Sequence, residues 1–206
     1  MKKLTFYTNP MSRGRIVRWM LEELGVSYET QVLDYASTMK SAEYLAINPM
    51  GKVPAIKHGD VVVTETIAIC NYLADVFKDK SLFPQTDAEK ASYYRWLFFM
   101  AGPFEQAIGI KSLNVELSAD QQRSFGCGNP ADTFKTLAKA VSGSGYIAGD
   151  RFTAADVIVG SYIGFYMQFG MLEKLPEFVA YWDRLANRPA RIRANEIDDK
   201  LLQANG

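Results

Sequence analysis

Asn48-Pro49-Met50-Gly51-Lys52-Val53-Pro54, followed by Thr64-Glu65-Thr66 at the start of an apolar run, decides the reading of this 206-residue chain. The first stretch closes on Val53-Pro54, where proline lacks an N–H and lowers the cost of a cis peptide bond. The N–H and C=O of Val53 are then available to an extended peptide, which pairs with them as an added edge strand does. The second stretch puts a carboxylate and a hydroxyl where a helix should begin, and the unpaired N–H groups of a helix start hold carboxylates. Together the two stretches describe a site for a small peptide carrying both signs of charge.

Working outward, Leu4-Thr5-Phe6-Tyr7 reads as a strand closed by Asn9-Pro10. From Ser12 to Leu24, Ile16, Val17, Met20, Leu21 and Leu24 recur at helical spacing, and Gly25 is placed to end the helix in a left-handed cap. Ser27 to Leu33 is a second strand and Ser41 to Ile47 a short helix. Val53 to Ile56 and Val61 to Val63 are β-branched runs flanking a turn at His58-Gly59-Asp60, and Thr66 to Phe77 is helical by pattern. The order β-α-β-α-β-β-α is that of a thioredoxin-like domain over residues 1–80. Residues 81–86 carry no periodicity and read as a linker. Strand signals then vanish, and residues 87–206 are expected to form an all-helical C-terminal bundle, so the fold class is α/β plus all-α. Its expected helices run 88–108, kinked at Gly102-Pro103, then 118–141, broken near Gly126 to Pro130, then 153–169, 176–187 and 190–203.

Bulk properties exclude several classes. Lys plus Arg and Asp plus Glu each total 23, which leaves no general basicity for a nucleic-acid partner. No apolar run reaches the length of a membrane span, and polar residues interrupt the N-terminal stretch at once, so a reduced cytoplasmic location is expected. Cys70 sits in an apolar helix and reads as buried and inert; Cys127, between glycines, is expected at the surface. The single histidine, His58, is expected in a hairpin turn and belongs to no metal set, so no metal is expected.

Three stretches carry a resemblance. Ile47 to Ala55 with Thr64 to Ile69 resembles the glutathione site of the cytosolic glutathione transferase superfamily. Ser12-Arg13-Gly14-Arg15-Ile16-Val17 with Leu21-Glu22-Glu23-Leu24-Gly25 is similar to that family's first helix, and Ala148-Gly149-Asp150-Arg151-Phe152-Thr153-Ala154-Ala155-Asp156 to its C-terminal signature. The S-R-x-R turn is similar to the bacterial and fungal type. The resemblance implies a detoxifying transferase, a homodimer, in which bound glutathione is the co-substrate and its thiolate attacks a hydrophobic electrophile. Other uses of the same site are glutathione-dependent peroxide or disulfide reduction, and a non-catalytic carrier or scaffold.

Each end of glutathione has a matching residue. Glu65 suits the γ-glutamyl ammonium and Thr66 the γ-glutamyl carboxylate; Lys52 reaches the glycyl carboxylate as a point charge, and Val53, presented by Pro54, pairs with the cysteinyl unit. A free thiol ionises near pH 8.5, so the site must favour the thiolate. Ser12, at the expected helix start, is placed to donate to the sulfur; as a base its hydroxyl is far too weak. Tyr7 competes: counted back from Arg18 it falls at the tyrosine-type spacing, whereas Arg13-Gly14-Arg15 stands two residues late for that pattern. The two anchors disagree; Ser12 is preferred, with Asn9 and Arg13 as helpers. Met11, Phe104, Ile108 and Tyr166 are candidates for an electrophile pocket between the two halves. Thr153 and Asp156 form a capping-box pattern with a structural role.

Overall fold

Buried Leu4, Phe6 and Thr8 alternate with half-buried Thr5 and Tyr7 along Leu4–Thr8, strand β1 of the computed structural model, which describes residues 2–204. Helix α1 (Gly14–Leu24) follows and buries Ile16, Val17, Met20, Leu21 and Leu24; Gly25, at φ 62°, ends it with its N–H donated to Leu21 O at 3.0 Å. Strand β2 (Glu29–Val32) pairs parallel with β1, Thr5 opposite Glu29. After α2 (Ala42–Leu45), β3 (Ala55–His58) pairs antiparallel with β1, and β4 (Val61–Thr64) antiparallel with β3. Helix α3 (Thr66–Val76) covers the sheet through Ile69, Cys70, Leu73 and Ala74. The sheet order β2-β1-β3-β4, mixed in direction, is that of a thioredoxin-like domain. His58 is the last residue of β3 rather than part of the turn, which is Gly59-Asp60; it is buried, with Nδ1 3.0 Å from Tyr72 Oη.

The chain forms two compact units, one taking residues up to Phe83 and those from Arg188 onward, the other Pro84–Asn187. Helix α10 (Pro189–Ala204) therefore groups with the sheet-bearing unit, although it follows the helical stretch in sequence. A buried ion pair accounts for this. Arg18 of α1 donates from Nε to Asp198 Oδ1 at 2.7 Å, with both side chains 1% exposed. The Arg18 guanidinium also reaches Tyr28 Oη and Thr30 Oγ1, each at 3.2 Å, and lies 5.1 Å from the centre of the Phe6 ring. Among the described residues Arg18 Nη2 and Asp198 Oδ2 have no hydrogen-bond partner, so part of the pair's hydrogen-bonding capacity is unmet in this buried setting.

In the helical unit, α4 (Asp87–Phe99) is capped by Thr86, whose hydroxyl accepts the Glu89 N–H at 3.1 Å. It runs into α5 (Glu105–Ser112) through a π-helical turn, Met100–Phe104, instead of breaking. Pro103 has no N–H to give, and the wider turn absorbs that loss. Phe104 is fully buried there against Phe134, Tyr162 and Tyr166. Helices α6 (Ala119–Ser124) and α7 (Pro130–Val141) are separated at Phe125–Asn129, within which Cys127 is buried, its N–H donated to Gln106 Oε1 at 2.9 Å; the expected surface position is corrected. Helices α8 (Ala154–Gln168) and α9 (Pro176–Ala186) complete the unit. Asp156 accepts from the Thr153 N–H (2.8 Å) and hydroxyl (3.0 Å), the Ile147 N–H (2.8 Å) and the Tyr181 hydroxyl (2.7 Å). It thus ties the start of α8 to α9 and to the preceding loop.

Arg151 grips Glu89 with Nε and Nη2, each at 3.0 Å. That fork holds the Glu89 carboxyl down at about 2 from its ordinary 4.5. A carboxyl whose folded pKa is depressed contributes stability that is present above its unfolded pKa and is lost as pH falls towards the folded one. The urea midpoint should therefore fall between about pH 4.5 and pH 2. In Glu89→Gln that acid limb should be shallower; an unchanged limb would show that the pair contributes nothing to it.

Candidate functional site

The sheet carries its chemistry at one end of β1 and β3, beside the starts of α1 and α3. There a groove of about 260 Å³ is lined by Ser12, Arg13, Tyr35, Asn48, Met50, Lys52, Val53, Pro54, Glu65 and Thr66. Its floor comes from the stretch quoted first. The Val53–Pro54 bond is cis. The β3 ladder stops at Ala55, opposite Tyr7 and Thr64, so the Val53 amide and carbonyl are not taken up by the sheet. The approach to Val53 is stiff: Lys52 O accepts from Tyr44 Oη at 2.6 Å and from Asn48 Nδ2 at 2.7 Å, and Asn48 Oδ1 accepts the Met50 N–H at 3.1 Å. Lys40 Nζ donates to Met50 O at 3.1 Å and Gly51 O at 2.9 Å. Burial pushes the Tyr44 phenol up to about 12, which keeps it a donor. The Lys52 ammonium stays exposed at the rim.

Glu65 precedes α3 with φ 69° and ψ 120°, a backbone conformation that L-residues rarely adopt. Its carboxylate is exposed and makes no capping bond to its own helix, while Thr66 is buried as the first residue of α3. A carboxylate and an open helix start thus stand side by side, suited to an ammonium and a carboxylate of one ligand.

The remaining wall is the turn before α1. Ser12 Oγ donates to Asn9 O at 2.6 Å and accepts the Gly14 N–H at 2.9 Å; the helix proper starts two residues later than expected, with Arg13 at its N-cap. Asn9 is buried and spent on the turn, Nδ2 donating to Leu33 O at 2.8 Å and Oδ1 accepting the Met11 N–H at 2.9 Å. Gly14 has no room for a side chain, since a Cβ there would run into Thr8 Oγ1.

Of the residues singled out in the sequence, Ser12, Arg13, Lys52, Val53, Pro54, Glu65 and Thr66 meet in the groove. Tyr7 is outside its lining, half-buried with its ring 5.7 Å from that of Tyr44. Asn9 acts on the turn rather than in the groove. Met11 is 76% exposed, whereas Phe104, Ile108 and Tyr166 are buried core positions of the helical unit, and Tyr166 Oη donates to Glu105 Oε1 at 3.3 Å. Tyr35, Asn48 and Met50 also line the groove, although none of the three was assigned a ligand contact from the sequence. Asn48 was legible as the head of the Asn-Pro turn; Tyr35, an exposed residue after β2, carried no signal. Among the described residues no three His, Cys, Asp or Glu side chains are grouped as a metal site needs, and no helix is long and apolar enough to cross a membrane.

Comparison with known proteins decides the family. Residues 2–75 match the glutathione S-transferase N-terminal domain, and residues 130–189 the C-terminal domain. Glutathione S-transferase A of Pleuronectes platessa is 30% identical over 183 residues, 83% of this chain and 81% of that protein. The chain belongs to the glutathione S-transferase family of enzymes. Solved structures of the family agree in fold. The theta class glutathione S-transferase of Xanthomonas axonopodis pv. citri, with glutathione bound, is 29% identical and superposes with a TM-score of 0.74, covering 94% of this chain and 97% of its own. The glutathione transferase URE2P6 of Phanerochaete chrysosporium, in complex with oxidized glutathione, is 26% identical with a TM-score of 0.78, covering 97% of each chain.

Proposed function

We propose that this chain binds glutathione in the groove at Val53-Pro54 and attacks hydrophobic electrophiles with its thiolate. The observation that carries the reading is the convergence of Ser12, Lys52, Val53, Glu65 and Thr66, from separate stretches, on one groove that excludes Tyr7. Glutathione then lies with its γ-glutamyl end at Glu65 and Thr66, its cysteinyl backbone on Val53, and its glycyl carboxylate towards Lys52. The structures from Xanthomonas axonopodis and Phanerochaete chrysosporium, described with glutathione bound and in complex with oxidized glutathione, support that ligand.

Ser12 supplies the activation. Its hydroxyl now donates to the neutral carbonyl of Asn9. Rotating that O–H onto a thiolate exchanges a neutral acceptor for a charged one, which makes a stronger bond. The thiol proton leaves to solvent, the sulfur forms a bond to the electrophilic carbon, and the leaving group departs with its electron pair. Exposed Val61 and Val62, on edge strand β4, offer apolar surface that a homodimer would cover.

A pH titration of the ultraviolet thiolate absorption of protein-bound glutathione tests this reading. The bound thiol should ionise well below the free value of about 8.5. Ser12→Ala should raise the bound pKa by about one to two units, the equivalent of one hydrogen bond to a charge, and Tyr7→Phe should leave it nearly unchanged. The reverse order would move the role to Tyr7. Binding without any shift would favour a carrier.

A further inference from the structure

The turn that presents Ser12 is held from outside the groove. Pro10 has no N–H, and its carbonyl is taken by Arg15 Nε at 2.6 Å. The same guanidinium gives Nη2 to Asp199 Oδ1 at 2.7 Å. A guanidinium is planar and its donors are fixed relative to one another, so holding Nη2 also aims Nε. Asp199 is itself placed by its neighbour, because Asp198 is buried in the ion pair with Arg18. A continuous path therefore runs from α10 through Asp199 and Arg15 to the Pro10 carbonyl, two residues before Ser12. Within the turn, Ser12 N–H goes to Asn9 O at 2.9 Å and Met11 N–H to the Asn9 side chain at 2.9 Å, while Asn9 Nδ2 reaches out to Leu33 O at 2.8 Å. Arg15 and Asp199 connect this turn to the last helix.

We propose that Asp199, acting through Arg15, is a positioning residue for the Ser12 hydroxyl, so that α10 tunes thiolate formation without touching glutathione. The inference rests on the reading of Ser12 as donor to the sulfur.

Charge alone and positioning predict opposite signs. Removing a carboxylate from the neighbourhood of a developing thiolate would, by charge alone, lower the bound thiol pKa. Letting Arg15 swing and the Pro10–Ser12 turn relax would weaken the Ser12 bond and raise it. Asp199 is 58% exposed at its side chain, so its replacement leaves the core untouched.

The experiment is the thiolate titration with glutathione itself on Asp199→Asn, Asp199→Glu and Ser12→Ala, together with the double variant Ser12→Ala/Asp199→Asn. Asp199→Asn should raise the bound thiol pKa by about half a unit or more, with glutathione affinity unchanged at a pH where the bound thiol stays protonated, and with an unchanged melting temperature. Asp199→Glu should restore the original value. In the Ser12→Ala background the Asp199→Asn shift should vanish. An unchanged or lowered pKa in Asp199→Asn overturns the proposal, as does a shift that persists without Ser12. No shift in Ser12→Ala alone overturns the underlying reading of Ser12 instead, so the two failures are distinguishable.

Discussion

Glu65→Ala is expected to weaken glutathione binding by about ten- to a hundredfold, the loss of a hydrogen bond between charged groups at roughly 1.5–3 kcal/mol. The carboxylate is exposed and uncommitted to its own helix, so its removal should leave the melting curve where it was. Glu65→Gly makes a sharper test. At φ 69° and ψ 120° a side chain strains the backbone by about 1–3 kcal/mol, and glycine removes that strain while adding about 0.5–1 kcal/mol of unfolded-state entropy. The glycine variant should be at least as stable as the parent and bind as poorly as the alanine variant. Isothermal titration with glutathione and a thermal melt, run on both variants, read the two effects separately. Undiminished affinity in either would remove the γ-glutamyl ammonium from Glu65.

Asp156→Ala should act in the opposite way, on the fold rather than on the site. Its carboxylate accepts four bonds, from Thr153 twice, Ile147 and Tyr181, and the residue is fully buried. Truncation strands these donors without water, at a cost of about 3–5 kcal/mol. For a chain of this size that corresponds to a fall in melting temperature of about 10 °C or more. Asn is a poor substitute, because its amide N–H₂ would face donors where an acceptor is needed. Whatever folded protein remains should bind glutathione normally, since Asp156 lies in the helical unit and the groove is built by the other. A variant that melts like the parent would show that the four bonds carry little net energy.

The two variants separate what was legible in the sequence. Glu65 and Thr66 were readable because a carboxylate and a hydroxyl opened an apolar run, and Val53-Pro54 because proline restricts its neighbour whatever the fold. Thr153 and Asp156 showed their spacing, but not that Ile147 and Tyr181 would share the same carboxylate, since those contacts are set by tertiary packing. The same limit applies to Phe104, Ile108 and Tyr166, which are buried in the helical unit: a residue at helical spacing looks alike whether it lines a cavity or fills a core. Pro103 marks an irregularity in the helix, but that it takes the form of a π-turn at Met100–Phe104 is not written in the proline itself. Tyr35 was invisible because exposure, which makes it available to a ligand, leaves no periodic trace.

The Arg18–Asp198 pair also orders events in time. Arg18 is made early, and its counter-ion arrives 180 residues later, after the entire helical unit has been synthesised. Until then Arg18 lacks the carboxylate that its burial beside Phe6, Tyr28 and Thr30 in the finished fold requires. A nascent chain emerging from a ribosome can fold its helical unit before its sheet-bearing unit is neutralised. The part that is translated first is therefore completed last.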